Sequence, residues 1–155
     1  MGKKKIIRAV IDTNVFISSI LFEGIAQQLI DCWKKAKFIF LLSKPILEVY
    51  IKVLSYPKFD LLQDEIKEII EEQLLPFVEV VVIKSSVSVI KEDPFDNIFL
   101  STALDGKADF IVSGDKHLLS LKEYRGIRII ELKNFFKKIM SETKIMMVPN
   151  DGARH

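Results

Sequence analysis

Two acidic residues each follow an apolar run that has the length of a β-strand. The segment AVIDTN ends its apolar run at Asp12, and the segment FIVSGD ends at Asp115. Parallel α/β sheets bind ligands beyond the carboxyl ends of their strands, so both carboxylates are expected at one edge of a sheet. Carboxylates gathered within about 6 Å raise one another's pKa unless a cation neutralises them. The pattern therefore predicts a cation site, and Mg²⁺ or Mn²⁺ suits oxygen ligands.

The same two residues are also typical helix caps. Asp is a preferred N-cap residue, which accounts for Asp12 before a helix. Asp115 follows Gly114 and fits a turn or a cap equally well. Taken singly, each residue is explained slightly better as a cap, whereas two different buried strands that both end in acid favour a function.

A third candidate lies in the segment KEDPFDNIFLSTAL. Asp93 followed by Pro94 predicts a helix start, with Asp as the N-cap and Pro at the first helical position. Asp96 then falls in the first turn, where the helix dipole alone favours an acid. We interpret Asp93 as the cap, which leaves Asp96 available for chemistry.

A fourth candidate, Glu48, lies in the segment SKPILEVYIKVL. Lys44, Glu48 and Lys52 recur every four positions and form one polar stripe on an otherwise apolar helix. This pattern by itself favours a row of solvent-exposed ion pairs over a functional site.

The chemistry of an acidic site is narrowed by the residues that the chain lacks. Cys32 is the only cysteine and the histidines are His117 and His155, so the composition excludes an intramolecular disulfide and argues against a zinc site. A divalent metal held by carboxylates can activate water and stabilise the leaving oxygen of a phosphodiester. Nuclease chemistry is therefore compatible with the four acids.

Strand-length apolar runs alternate with helical patterns along the chain, which predicts an α/β fold. Because most of the runs are continuously apolar, the sheet is expected to be mainly parallel and covered on both faces, in three layers. Five strands are predicted, at residues 6–12, 38–42, 78–83, 110–113 and 127–130. Helices are predicted at residues 14–21, 25–35, 45–54, 63–75, 94–104, 116–121 and 132–141.

The 155 residues predict one domain over residues 1–142 and a flexible tail over residues 143–155. The formal net charge is only +2, although lysines cluster at residues 3–5, 34–37 and 137–138. Such runs are more often solvated faces than phosphate contacts. No stretch approaches the roughly 18 apolar residues of a membrane span, so we expect a cytoplasmic protein with no membrane partner.

The ordered set VIDTNVFIS, EVY, EDPFDNIFLSTALDGKADFIVSGDKHLL and IRIIE before LKNFF resembles the PIN domain. The likeness is strongest to the prokaryotic branch of VapC-like toxins and related single-domain PIN proteins, and it covers roughly residues 5–136. It implies a three-layer PIN-like nuclease domain that cleaves RNA endonucleolytically with Mg²⁺ or Mn²⁺. It also implies a homodimer and an antitoxin protein as a partner.

The resemblance assigns roles to individual residues. It implies that Asp12, Glu48, Asp96 and Asp115 are the metal-binding and catalytic acids, which reverses the interpretation of Glu48 from pattern alone. It further implies that the polar residues Asn14 and Ser113 support the acids by hydrogen bonding. His117 stands where many relatives have a further acid, so one metal or two are both compatible with the chain.

Three functions remain to be weighed. The favoured one is a metal-dependent ribonuclease, the toxin of a toxin–antitoxin pair. The alternative is a catalytically silent PIN-like protein that binds a partner or RNA. A phosphotransfer domain with Asp12 as nucleophile is less compatible, because Asn14 stands where such a phosphatase needs a second acid and Lys116 is poorly placed for a receiver domain.

Overall fold

A mostly parallel sheet of six strands forms the centre of the fold, in a computed structural model that describes residues 5–85 and 96–151, with side chains for 5–85 and 97–141. The strand order is β3-β2-β1-β4-β6-β5, and only the β5–β6 pair is antiparallel. The strands are β1 (Arg8–Ile11), β2 (Ile39–Ser43), β3 (Val78–Val81), β4 (Phe110–Val112), β5 (Glu123–Tyr124) and β6 (Ile127–Ile130).

The chain reverses its direction of winding at β1. From β1 the sheet grows through β2 to β3 on one side, and through β4 to β6 on the other. Such a switch point leaves a crevice at the carboxyl ends of the two central strands. In the register Ile11 pairs with Val112, so Asp12 and Ser113 follow neighbouring strands at the same level. The amide of Asp12 donates to the Val112 carbonyl at 2.9 Å, which extends the β1–β4 ladder to the edge.

Helices connect successive strands and supply the outer layers. They are α1 (Thr13–Leu21), α2 (Gln28–Lys34), α3 (Lys44–Leu54), α4 (Gln63–Glu68), α5 (Asp96–Asp105), α6 (Lys116–Leu121) and α7 (Leu132–Asp151). A short 3₁₀ turn precedes α2, and α4 runs on through a wider π-helical segment, Ile69–Leu74, to a 3₁₀ turn that contains Pro76.

The helices cover both faces of the sheet. On one face Phe40 makes edge contacts with Phe16 of α1 and Tyr50 of α3. On the other face the buried Ser43 hydroxyl lies 2.7 Å from that of Thr102 in α5. The three-layer α/β architecture predicted from the alternating pattern is therefore present.

The end of β1 is anchored to α1 and α3 through an aromatic pair. The rings of Phe16 and Tyr50 stack at 4.1 Å with an interplanar angle of 8°, and both residues are fully buried. The Tyr50 hydroxyl donates to the carbonyl of Ile11, the last residue of β1. Burial, and secondarily the charge of Asp12, raises the pKa of Tyr50, so this hydroxyl remains a donor. The contact fixes α3 against the strand that ends at Asp12.

Three features of the fold differ from the prediction. A sixth strand, β5, has only two residues and was missed because such a short run carries no periodic signal. The predicted helix 63–75 changes to π-helical geometry at Ile69. The last helix continues to Asp151 rather than ending at Ser141, because the intervening residues include good helix formers.

Two other predictions concern the start of α5 and the absence of a membrane span. The predicted helix start at Asp93 and Pro94 lies outside the described residues, and α5 is described from Asp96. Within the described ranges no single helix is long and apolar enough to cross a membrane. Thr13–Leu21 and Ile25–Lys34 meet that criterion only as a pair, and they are bent by 96°.

Candidate functional site

Asp12 both ends β1 and caps α1. Its side chain is 6% exposed, and the Thr13 amide donates to Oδ1 at 2.7 Å. The Ser113 hydroxyl donates to the other oxygen, Oδ2, at 2.6 Å. The cap interpretation and the strand-end interpretation are therefore both realised in one residue.

Ser113 connects the two strand-end acids. It follows β4 and is completely buried, and its Oγ accepts a hydrogen bond from the Asp115 amide at 2.9 Å while it donates to Asp12. One hydroxyl thus uses its donor on the Asp12 side chain and an acceptor position on the Asp115 backbone. A single buried side chain thereby ties the Asp12 carboxylate to the backbone of Asp115.

Asp115 caps α6 with one of its carboxylate oxygens. Oδ1 accepts from the amides of His117 at 2.8 Å and Leu118 at 3.2 Å. Within the described part of the chain, Oδ2 accepts no hydrogen bond, and the half-buried side chain lines a cavity together with Asp12. The second oxygen of Asp115 is consequently available to a ligand.

The cavity beside these acids has a volume of 290 Å³. Asp12, Thr13 and Asn14 line it from the start of α1, and Asp115 lines it from the start of α6. The other lining residues come from α3, the turn after it and α5: Val49, Lys52, Val53, Tyr56, Lys58, Phe59 and Phe99. The cavity therefore combines two carboxylates with two lysines and several aromatic rings.

The other predicted site residues are Asn14, Glu48 and Asp96, one on each of α1, α3 and α5. Asn14 is exposed and lines the cavity, but it makes no hydrogen bond to either acid among the described residues. Glu48 is exposed on α3 and does not line the cavity, although Val49 and Lys52 of the same helix do. Asp96 is the first described residue of α5, one turn before the lining residue Phe99, and its side chain lies outside the description. Of the predicted site residues, Asp12, Ser113 and Asp115 are thus the ones that hydrogen bonds connect.

The lining residues Lys52, Tyr56 and Lys58 were not among the predicted site residues. Lys52 belongs to the polar stripe of α3 that already contains Glu48, so its spacing was a usable signal. Tyr56 and Lys58 flank Pro57 in the turn after α3, and no periodic pattern marks such a turn as part of a site. Only the packing of α3 against the end of β1 shows that this turn borders the acids.

The donor set fits a hard divalent cation that retains several of its waters. Such ions need only one or two protein carboxylates, and Asp12 and Asp115 supply two. The buried hydroxyl of Thr13 has no hydrogen-bond partner in the described structure, and this residue lines the same cavity. An unpaired buried hydroxyl is unfavourable and is satisfied by a bound water or ion. Among the described side chains, no three acids, histidines or cysteines form a cluster, so any further protein ligand would come from a side chain outside the described set or from one that moves.

The chain is similar in sequence to proteins of a known family. A family model described as PIN domain matches residues 8–117, which include Asp12, Glu48, Asp96 and Asp115. An uncharacterized protein of Methanocaldococcus jannaschii, MJ1680, is 33% identical over 132 residues, which cover 82% of this chain and 84% of that protein. PIN domains are in general nucleases and typically bind divalent metals. On its fold, on the acids at its central strand ends and on the extent of these matches, the chain belongs to the PIN-domain family.

Proposed function

We propose that the protein is a metal-dependent endoribonuclease that hydrolyses RNA phosphodiester bonds. The observation that carries the proposal is the hydrogen-bonded connection from Asp12 through Ser113 to Asp115 at the switch point of the sheet. The two acids line a cavity that also contains Lys52 and Lys58. Carboxylates for a metal beside cations for a phosphate backbone are what such a hydrolase requires.

Asp12 and Asp115 would hold Mg²⁺ or Mn²⁺, and we assign Asp96 and Glu48 as the acids that complete the ligand set. When bound, the cation would lower the pKa of water and offset the charge that develops on the phosphate. Asp96 is favoured by its position one turn before Phe99 on α5. Glu48 would have to turn towards the cavity from its exposed position on α3.

The protein's own residues hold the two acids in fixed orientations. The Thr13 amide and the Ser113 hydroxyl each donate to one oxygen of Asp12, which limits rotation of the carboxylate. The amides of His117 and Leu118 do the same for one oxygen of Asp115 and leave the other oxygen for a ligand. The lysines of the cavity attract the phosphate backbone towards these acids.

The decisive experiment compares wild type with Asp12→Asn on labelled RNA in the presence of Mn²⁺. We expect the substitution to lower the cleavage rate by at least about a hundredfold, because it removes a charged ligand while keeping the shape. Asp31→Asn is the matched control, since Asp31 is an exposed acid of α2 that pairs with Lys35 away from the cavity. Equal cleavage by wild type and Asp12→Asn, or cleavage that resists EDTA, would contradict the proposal.

A catalytically silent protein that binds a partner is the second candidate. It is favoured by the absence of a three-acid cluster among the described side chains. Titration calorimetry with Mn²⁺ separates the two functions: heat that is lost in Asp12→Asn supports the nuclease, and no heat with wild type supports the silent protein.

The finer assignment is the toxin of a toxin–antitoxin pair, acting on RNA in the cytoplasm as a homodimer. Its support is the likeness to VapC-like proteins. An antitoxin that inserts an Arg or Lys between Asp12 and Asp115 would compensate their charge in place of the metal. A small reading frame beside the gene, whose product binds wild type and abolishes cleavage, is the expected result; a product without effect would argue against this role.

A further inference from the structure

The turn that follows α3 borders the same cavity as the acids. We call residues 56–59 the aromatic turn. Tyr56, Lys58 and Phe59 of this turn line the cavity, as do Asp12 and Asp115. A substrate bound at the acids therefore extends over the aromatic turn within one continuous cavity.

The aromatic turn is held in one conformation by its backbone. Tyr56 is extended, Pro57–Phe59 form a 3₁₀ turn, and Asp60 adopts a left-handed conformation with φ of 52°. Amides donate from Tyr56 to Val53, from Phe59 to Tyr56 and from Asp60 to Pro57 at 3.0–3.1 Å. Proline restricts its own backbone further. The side chains of the turn are thus presented from a rigid base, which lowers the entropy lost when a ligand binds.

Tyr56 presents an aromatic ring to solvent beside a carboxylate site. The residue is 41% exposed, and its ring contacts no other aromatic ring among the described residues. Phe59, by contrast, is half-buried and packs edge-on against Phe22 with ring centroids 6.3 Å apart. Phe59 therefore supports the turn, while the more exposed Tyr56 has surface left for a ligand.

Cationic groups accompany the exposed ring. The ammonium of Lys58 lies 5.2 Å from the centroid of Phe59, and Lys52 lines the cavity one helical turn before Tyr56. Grooves that bind single-stranded nucleic acid combine such cations for the backbone with aromatic rings on which bases stack. A paired base has its faces covered by its neighbours and cannot stack on a protein ring.

We infer that the aromatic turn binds an unpaired nucleotide of the substrate, with a base stacked on Tyr56 and the adjacent phosphate near Lys58. This inference rests on the proposed function and adds to it two residues, Tyr56 and Lys58, that hold the substrate beside the acids. The aromatic turn and the two acids would then together fix the position of the RNA strand in the cavity.

The test measures binding separately from cleavage. A short labelled single strand of RNA and its duplex are titrated with protein in the Asp12→Asn background, so that the probe is not cut. The test variants are Tyr56→Leu, which keeps an apolar side chain but removes the ring face, and Lys58→Gln. The matched controls are Phe77→Leu and Lys34→Gln: the Lys34 ammonium lies 5.7 Å from the centroid of the Phe77 ring, just before β3, and neither residue lines the cavity.

We expect Tyr56→Leu to weaken single-strand binding about tenfold, the order observed when one stacked base is lost. Lys58→Gln should weaken binding and reduce the slope of log affinity against log salt by about 0.7, the value for one phosphate contact on a single strand. The two controls should bind as the parent does, and the duplex should bind more weakly than the single strand.

Two results would overturn this inference but not the proposed function, provided that the wild type still cleaves RNA in a metal-dependent way. One is that Tyr56→Leu binds the single strand as tightly as Phe77→Leu does. The other is that the protein binds the duplex as tightly as the single strand. If the wild type neither binds nor cleaves RNA, the proposed function itself fails and this inference fails with it. Circular dichroism of each variant shows whether the fold is retained, which the exposure of Tyr56 and Lys58 predicts.

Discussion

The two ends of β1 carry opposite charges that the protein handles in different ways. At the first end, the Arg8 guanidinium donates to both Glu79 carboxylate oxygens at 2.5 and 3.1 Å and to the Gly106 carbonyl. The hydrogen bond to Glu79 raises the pKa of Arg8, and the same bond lowers the pKa of Glu79. This end is a closed ion pair between β1 and β3.

At the other end, two acids share one cavity and are joined through a neutral hydroxyl, that of Ser113. The ion pair at the start of β1 ties two strands together, whereas the acids at its end line the cavity where we propose a bound cation. We therefore assign Arg8, at the start of β1, a structural role and Asp12, at its end, a functional one.

Among variants that test this comparison and keep both acids of the cavity, the largest effect is expected from Ser113→Ala, which breaks the connection between Asp12 and Asp115. The variant removes the hydrogen bond from Ser113 to Asp12 and the acceptor of the Asp115 amide, so we expect a cleavage rate about 10–100-fold lower and a free energy of unfolding about 1–3 kcal/mol lower. Ser19→Ala is the control, because Ser19 is equally buried and donates to Phe16 in α1. It should lower stability without that loss of rate; equal rates for the two variants would refute the role of Ser113.

A smaller effect is expected from Tyr50→Phe, which removes the donor to the Ile11 carbonyl but keeps the stacked ring. Loss of one buried hydrogen bond should lower the free energy of unfolding by about 1 kcal/mol. Denaturant melts measure this change. Tyr124→Phe is the control, since the Tyr124 hydroxyl makes no hydrogen bond in the described structure, and identical melts for both variants would show that the Ile11 contact contributes nothing.

The smallest effect is expected at the other end of β1, from Glu79→Gln. Because the pKa of Glu79 is lowered in the folded state, its contribution is present above the ordinary carboxylate pKa and is lost as the pH falls through the folded value. The Glu79 side chain is 47% exposed, so the contribution should be only about 0.2–1 kcal/mol. The stability gap between wild type and Glu79→Gln should close on acidification, with RNA cleavage at neutral pH unchanged. A gap that widens in acid would contradict this assignment.

The placement of two acids at one edge of the sheet was predictable because it follows from local pattern. The acids Asp12 and Asp115 end apolar runs, and a parallel sheet necessarily brings neighbouring strand ends to one edge. The supporting role implied for Ser113 corresponds to an observed hydrogen bond, whereas Asn14 makes none to the acids among the described residues. The assignment of Glu48 and Asp96 as ligands stays a prediction.

The rest was not predictable because it depends on packing between segments that are distant along the chain. The choice of one hydroxyl to join two acids depends on the register of β1 against β4. The inclusion of Tyr56 and Lys58 in the cavity depends on how Tyr50 ties α3 to the end of β1. Residues in a turn follow no hydrophobic period, so the residues that they contact in space cannot be inferred before the fold is known.

The sequence by itself determined the α/β class, the strand ends that carry acid and the family resemblance, because hydrophobic periodicity and short motifs are local properties. The tertiary structure alone decided that Asp12 is at once a cap and a partner of Ser113, and that lysines and an exposed tyrosine border the acids. The physical reason is that hydrogen bonds and cavities form between residues a hundred positions apart, where only the packed sheet and its helices set the distances.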